Sequence, residues 1–125
     1  MEQNKTDVRE ERVDLRIPLP VADVEEWRRQ TQLVFKLNHT MPRTEEYDGI
    51  LKELFGDRLG EGSYIAAPIQ MVCADKVNIG KNVFINSNFL AMSRGGITIE
   101  DDVQIAANVQ VLSNNHDLYE RQVLL

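Results

Sequence analysis

A large aliphatic residue returns every six positions from Ile65 onward, and this period restricts the fold more than any other feature of the chain. The first series keeps this spacing to Phe89 and resumes after two extra residues: Ile65, Met71, Val77, Val83, Phe89, Ile97, Val103 and Val109. A second series follows two places later: Ile79, Ile85, Ala91, Ile99, Ile105 and Val111. Two inward residues followed by a three-residue corner predict short parallel strands joined by bends. This is the pattern of a parallel β-helix, whose coils bury their faces against one another.

The corners between these strands carry small amide or acidic residues in one phase: Asn82, Asn88, Asp102, Asn108 and Asn114. Asparagine and aspartate tolerate the left-handed backbone that a sharp bend needs. The corners therefore support the same repeat as the two aliphatic series.

The residues before the repeat predict an arm and two helices. Residues 1–22 are charged, lack a clear period and contain Pro18 and Pro20, which predicts a loosely ordered N-terminal arm. Residues 23–62 are predicted to form a helical cap of two amphipathic helices. Because such helices are not stable alone in water, we expect both to pack on the first coil and cover its open end.

The signals within the cap are local. Asp23 and Glu26 have capping-box spacing for the first helix. Its predicted apolar face is Val24, Trp27, Thr31, Val34 and Phe35. The second helix is predicted to begin after Thr44 and to end at Gly56 with a left-handed cap. Its apolar stripe is Tyr47, Ile50, Leu51, Leu54 and Phe55.

The composition excludes several classes of function. The chain of 125 residues has a net charge of −6 and no basic stripe, so we expect no nucleic-acid partner. Cys73 is the single cysteine, so no internal disulfide can form, as is usual in a reducing cytoplasm. The first thirty residues lack the apolar region of a signal peptide, and no run approaches the roughly 18 apolar residues of a membrane span. These features predict a cytoplasmic protein without a membrane partner.

The helical preface joined to the repeat resembles the maltose/galactoside O-acetyltransferase family. The segments that carry the resemblance are residues 37–40 (LNHT), 54–56 (LFG), 77–82 (VNIGKN), 97–103 (ITIEDDV), 105–108 (IAAN) and 114–116 (NNH). The resemblance runs from about Asp23 to the end of the chain. It implies a mainly β fold, with two α-helices followed by a left-handed parallel β-helix in residues 63–125. The handedness comes from the resemblance alone, because the general preference for crossover connections is right-handed.

The resemblance also implies an activity and an assembly. The family transfers an acetyl group from acetyl-CoA to a sugar or a similar small hydroxyl acceptor, without an acyl-enzyme, and forms homotrimers whose active site lies between subunits. His116 matches the catalytic histidine, and imidazole titrates close enough to neutrality to take the hydroxyl proton as a general base. From the residues alone, a surface histidine on a loop that leaves the β-helix is the favoured interpretation of His116, because a single histidine carries little information. Glu120 could orient His116, and His39 is interpreted as structural.

Two residues are predicted on the acceptor side. Asn88 matches an asparagine that contacts the acceptor sugar, although corner geometry alone would explain an asparagine there. Ser93 stands where relatives carry an aspartate that bonds the acceptor, and its hydroxyl can still bond a sugar without supplying charge. Val72 replaces a polar acceptor-site residue. Because Ser93 and Val72 differ from the residues that relatives carry on the acceptor side, the sequence does not predict which sugar is the acceptor.

Two functions remain open at this point. Relatives continue for several coils beyond the histidine loop, and those coils supply most of the acetyl-CoA groove, so the resemblance implies a C-terminally shortened chain. The first function is an acetyl-CoA-dependent O-acetyltransferase, and the alternative is a truncated, non-catalytic oligomeric β-helix remnant. A zinc-dependent carbonic anhydrase on a similar fold needs three histidine ligands, whereas the sequence has only His39 and His116. We therefore expect no metal.

Overall fold

Short parallel strands and two helices make up most of the protein. A computed structural model describes residues 12–14, 16–116 and 122–124, with side chains for residues 13, 14 and 16–114. The elements, in chain order, are β1 (Arg12–Asp14), α1 (Val21–Asn38), α2 (Glu45–Phe55), a 3-10 turn (Gly56–Arg58), β2 (Tyr64–Ile65), β3 (Ile69–Val72), a second 3-10 turn (Ala74–Lys76), β4 (Val77–Ile79), β5 (Phe84–Ile85), β6 (Phe89–Met92), β7 (Ile97–Ile99), β8 (Gln104–Ile105), β9 (Gln110–Leu112), β10 (Asn115–His116) and β11 (Gln122–Leu124).

Three parallel sheets follow from the hexapeptide period. They have the orders β2-β5-β8, β3-β6-β9 and β4-β7. Each strand pairs with the one 20 residues later, as Tyr64 with Phe84 and Phe84 with Gln104. A 20-residue unit consists of three six-residue sides and two extra residues. The predicted parallel repeat is confirmed.

The phase of the first unit differs from the prediction. Ile65 pairs with Ile85 and Met71 with Ala91, so both belong to the second aliphatic series and not to the first. Ile69, which pairs with Phe89, is the first-series member. The two-residue insertion therefore recurs in each unit. The sequence showed it only once because Met71 of the second series and Val77 of the first happen to be six residues apart, which hides the insertion between Ile69 and Val77.

The inward residues and four of the five corners agree with the prediction, whereas Asn114 is not among the described residues with a positive φ. The first two units bury both aliphatic series almost completely, while Val103, Ile105, Val109 and Val111 of the third unit are half-buried. Four corner residues have φ between 54° and 64°, namely Asn82, Asn88, Asp102 and Asn108. The side-chain type at these positions follows from this left-handed backbone.

The second helix forms as its sequence predicts. The Thr44 hydroxyl accepts a hydrogen bond from the Tyr47 N–H at 3.2 Å, and Gly56, with a φ of 55°, ends the helix. The predicted stripe is buried throughout. Together with Leu33 and Leu37 of α1, it forms one hydrophobic core with the inward residues of the parallel strands. The domain boundaries at residues 22 and 62 remain predictions.

The first helix buries a different face from the predicted one. Trp27 and Phe35 are 53% and 66% exposed, whereas Gln30, Leu33 and Leu37 face the core. The predicted capping box is also wrong, because Pro20 precedes the helix as its N-cap and Asp23 lies inside the first turn. Both faces have helical spacing. The buried one is selected by Gln30, whose side-chain oxygen accepts the Ala74 N–H at 2.9 Å.

Side chains from the helical cap pair with the backbone of the first strands. Asn38 donates to the Ile69 carbonyl and accepts from the Ile69 N–H, both at 2.8 Å. The Tyr47 hydroxyl donates to the Ile65 carbonyl at 2.6 Å. Arg58 donates to the carbonyls of Val77, at 3.0 Å, and Ala74. Thus each of the three parallel sheets has its first strand bonded by a polar side chain.

No described helix is long and apolar enough to cross a bilayer.

Replacing Asn38 by alanine tests this pairing. Asn38→Ala leaves the N–H and the carbonyl of Ile69 without partners, and each such group costs about 1–3 kcal/mol. We expect the free energy of unfolding to fall by about 2–4 kcal/mol in a urea titration. The exposed Asn78 of β4 supplies the control, since Asn78→Ala should change this free energy by less than about 0.5 kcal/mol. Equal effects of the two variants would contradict the proposed pairing.

Candidate active site

The backbone of His116 lies where the chain leaves the parallel repeat. His116 belongs to β10, which pairs antiparallel with β11 through His116 and Val123. The side chain of His116, like Asp117 and Glu120, lies outside the described residues, so its role as a base stays a prediction. Three residues earlier, Ser113 is anchored to the preceding unit. Its N–H and its hydroxyl both donate to the Met92 carbonyl, at 2.9 and 3.0 Å.

Asn88 lies at the exposed corner before β6. Its N–H donates to the Pro68 carbonyl at 2.8 Å, and its φ is 63°. Its side-chain amide has no hydrogen-bond partner in the part of the chain that the structure describes. The backbone geometry explains why an asparagine occupies this corner, and the same geometry leaves the amide available to a ligand.

Ser93 lies at the corner after β6, and its side chain is fully buried. Its N–H donates to the Val72 carbonyl at 3.1 Å, and its carbonyl accepts the Gly96 N–H at 2.8 Å. The hydroxyl has no hydrogen-bond partner among the described residues. A buried hydroxyl without a partner destabilises the fold by about 1–3 kcal/mol. The binding role of Ser93 stays a prediction, and within one chain its hydroxyl does not face solvent.

The single chain does not bring the two acceptor residues together. Asn88 and Ser93 are five positions apart on either side of an extended strand, which separates them by roughly 16 Å. Ser93 instead adjoins the segment that leads to His116, because the Ser113 hydroxyl accepts the Gly95 N–H at 3.1 Å. One chain alone therefore does not place Asn88 and Ser93 together in a site the size of a small molecule.

Cys73 lies at the same corner, one unit before Ser93. Burial raises the pKa of its thiol, and the neighbouring Asp75 carboxylate raises this pKa further. Because the thiolate is the nucleophilic form of cysteine, a raised pKa disfavours covalent catalysis by Cys73. The half-buried Val72 precedes Cys73 and offers only its carbonyl to this corner.

His39 has the geometry of a structural residue. Its Nδ1 lies 2.7 Å from the Phe35 carbonyl, which can only accept, so Nδ1 carries the proton. The ring also stacks on Phe35 with centroids 4.3 Å apart. His39 therefore caps the end of α1, and nothing in its contacts requires a ligand.

Sequence reasoning missed that residues 20 positions apart stack above one another at this corner; we call such a stack a 20-residue column. Cys73, Ser93 and Ser113 each follow the last residue of their strand, since Val72 pairs with Met92 and Met92 with Leu112. The 20-residue separation was the available signal.

No group of three or more potential metal ligands occurs among the described side chains. A surface groove beside Asp57, Asn78, Thr98 and Asp101 contains none of the predicted site residues.

Comparison with known proteins agrees with the predicted resemblance. The chain is 28% identical over 88 residues to the galactoside O-acetyltransferase of Escherichia coli K12, covering 70% of this chain and 43% of that protein. No family model matches the chain.

Solved structures match a larger part of the chain. A hexapeptide-repeat acetyltransferase of Vibrio cholerae, complexed with acetyl coenzyme A, has a TM-score of 0.73 and 29% identity, and the match covers 81% of this chain and 55% of that one. A maltose O-acetyltransferase of Clostridium difficile 630 has a TM-score of 0.74 and 25% identity, with 84% and 58% covered. The predicted resemblance to the maltose/galactoside O-acetyltransferases is confirmed. This chain spans less than half the length of the curated relatives that it matches.

A pair of serine variants tests the burial of Ser93. Ser93→Ala removes a hydroxyl without a partner and should raise the free energy of unfolding by about 1–2 kcal/mol. Ser63→Ala is the matched comparison, because the Ser63 hydroxyl donates to the Gly80 carbonyl at 2.6 Å and accepts the Val83 N–H at 2.9 Å. It should lower the same free energy by about 1–2 kcal/mol. A destabilised Ser93→Ala variant in urea unfolding would mean that the hydroxyl has a partner.

Proposed function

We propose that this chain, a relative of the maltose/galactoside O-acetyltransferases, transfers an acetyl group from acetyl-CoA to a hydroxyl group of a sugar or a similar small molecule. The observation that carries the proposal is a single structural match that is longer than the repeat alone. It covers 81% of this chain, and the matched structure is an acetyltransferase complexed with acetyl coenzyme A. The acceptor class follows from the names of the galactoside and maltose enzymes.

The proposal includes the closed form of the fold. The three parallel sheets become the three sides of a left-handed β-helix, with the helical cap over the first coil. The 20-residue register supports this arrangement, because each of the first two units supplies one strand to every sheet and the third unit supplies β8 and β9 to two of them. The cytoplasmic location predicted above stays part of the proposal.

His116 acts as the general base in this mechanism. Its imidazole takes the proton of the acceptor hydroxyl while the oxygen attacks the thioester carbonyl. The new carbon–oxygen bond forms, the carbon–sulfur bond breaks, and the imidazolium returns its proton to the departing thiolate. No acyl-enzyme is needed. The raised pKa of the Cys73 thiol supports direct transfer, since it disfavours the thiolate form that would attack a thioester.

The acceptor site forms between copies of the chain. Asn88 contributes the exposed amide of a corner, and Ser93 and His116 belong to the opposite end of β6. Their separation of roughly 16 Å within one chain supports a homo-oligomer, and we propose a trimer. The exposed Trp27 and Phe35 of α1 also supply apolar surface of the kind that is found at interfaces.

A non-catalytic oligomeric remnant is the second candidate function. The buried hydroxyl of Ser93 favours it, because a residue that bonds an acceptor must be reachable. In this case the chain folds and associates through the same repeat but transfers no acetyl group.

Thiol release from acetyl-CoA in the presence of a panel of sugars separates the two functions. We expect release with at least one sugar and a loss of about 10²–10⁴-fold in kcat for His116→Ala, the usual effect of removing a general base. His39→Ala is the matched histidine control and should retain the parent kcat. Acetylation that survives His116→Ala would remove this residue from the mechanism, and release with no sugar would favour the remnant.

Light scattering at micromolar concentration tests the assembly. We expect a particle of three chains, because a β-helix of a few coils buries little core for its surface and the site needs residues from two copies. A stable monomer would contradict both the trimer and the shared acceptor site.

A further inference from the structure

We propose that the N-terminal strand β1 is a positioning element for the segment that carries His116. The inference rests on the proposed function of His116 and adds a residue range that the sequence assigned to a loosely ordered arm. In the structure, Arg12–Asp14 is a strand and not a loose segment. It pairs antiparallel with β11, which lies between β1 and β10 in a three-stranded sheet.

The register of this sheet places the arm in line with the candidate base. Val13 pairs with Val123, and Val123 pairs with His116. The three backbones therefore form one row across the sheet. Since neighbouring strands lie about 4.8 Å apart, the backbone of Val13 lies about 10 Å from that of His116.

The histidine segment depends on this sheet for its order. On its N-terminal side it is anchored through Ser113 to Met92. Beyond Ser113 the next described pairing is antiparallel, between β10 and β11. A two-stranded pairing of two or three residues is marginal in water, and a third strand stabilises it. β1 supplies that third strand.

The other end of β1 is closed by a local turn between Asp14 and Ile17. The Asp14 carboxylate accepts the Arg16 N–H at 3.0 Å and two guanidinium N–H groups at 2.8 Å. The Ile17 N–H donates to the Asp14 carbonyl at 3.2 Å. These bonds lower the pKa of Asp14 to about 2, so the carboxylate is ionised at neutral pH. The resulting turn leads into α1, which packs on the first parallel unit.

Amide hydrogen exchange of the full chain tests the proposal without requiring activity. The double variant Arg12→Pro/Val13→Pro removes the β1 donor to β11, because the N–H groups of adjacent strand residues point in opposite directions. We expect exchange at residues 115–116 and 122–124 to rise at least about tenfold. Exchange at residues 69–72 should stay unchanged, which excludes global unfolding. Leu19→Pro is the control. Leu19 lies between Pro18 and Pro20, outside β1, so its replacement should leave exchange at residues 115–116 unchanged.

Kinetics then separates positioning from acetyl-CoA binding. A displaced base should lower kcat at least about tenfold in the double variant, while the KM for acetyl-CoA stays within about twofold. Unchanged exchange at residues 115–116, or increased exchange with an unchanged kcat, would overturn the positioning role. Failure of the proposed function appears separately, as absent His116-dependent thiol release in the parent protein.

Discussion

The pairing of the first strands with side chains of the helical cap is the constraint on which the rest of the structure depends. A β-strand at the edge of a sheet presents N–H and carbonyl groups that must find partners when they are buried. Asn38, Tyr47 and Arg58 bond to β3, β2 and β4, one side chain for each sheet. The cap thereby supplies hydrogen-bond partners to the first strand of each sheet and also packs on its apolar interior. Every later unit copies the register of the unit before it, so the cap indirectly places the histidine corner.

The corners add a second constraint, because backbones of successive units approach closely there. A Cβ on Gly80 would lie 2.3 Å from the Asp101 carboxylate, which accepts the Lys81 N–H at 2.7 Å. A Cβ on Gly60 would lie 2.3 Å from the Gly80 carbonyl. Glycine at both positions permits the vertical stacking of this corner. The stacking makes the 20-residue column more informative than the six-residue period for locating residues that lie side by side.

The sequence predicted the features that arise from local periodicity. The repeat, the left-handed corners and the buried stripe of α2 all depend on neighbours within one unit or one helix. The buried face of α1 could not be predicted, because two stripes have helical spacing and the choice depends on a hydrogen bond between Gln30 and Ala74, 44 residues away. The assignment of Ile65 and Met71 to the second aliphatic series could not be predicted either, because it depends on which residues they pair with in the next unit. β1 could not be predicted from local sequence, because this strand is defined by its pairing with β11, about 110 residues later.

The sequence likewise predicted where the candidate site residues lie in the repeat, but not how buried their side chains are. The corner positions of Asn88 and Ser93 followed from the period, but the burial of Ser93 did not, since an inward direction at a corner depends on the local backbone. Asn88 has two roles that do not compete: the left-handed φ selects its residue type, and the exposed side chain remains free to bond. Ser93 and the His116 segment share one end of β6, whereas Asn88 lies at the other. The proposed site joins all three by combining the histidine end of one chain with the Asn88 corner of another, which ties the proposed chemistry to the proposed assembly.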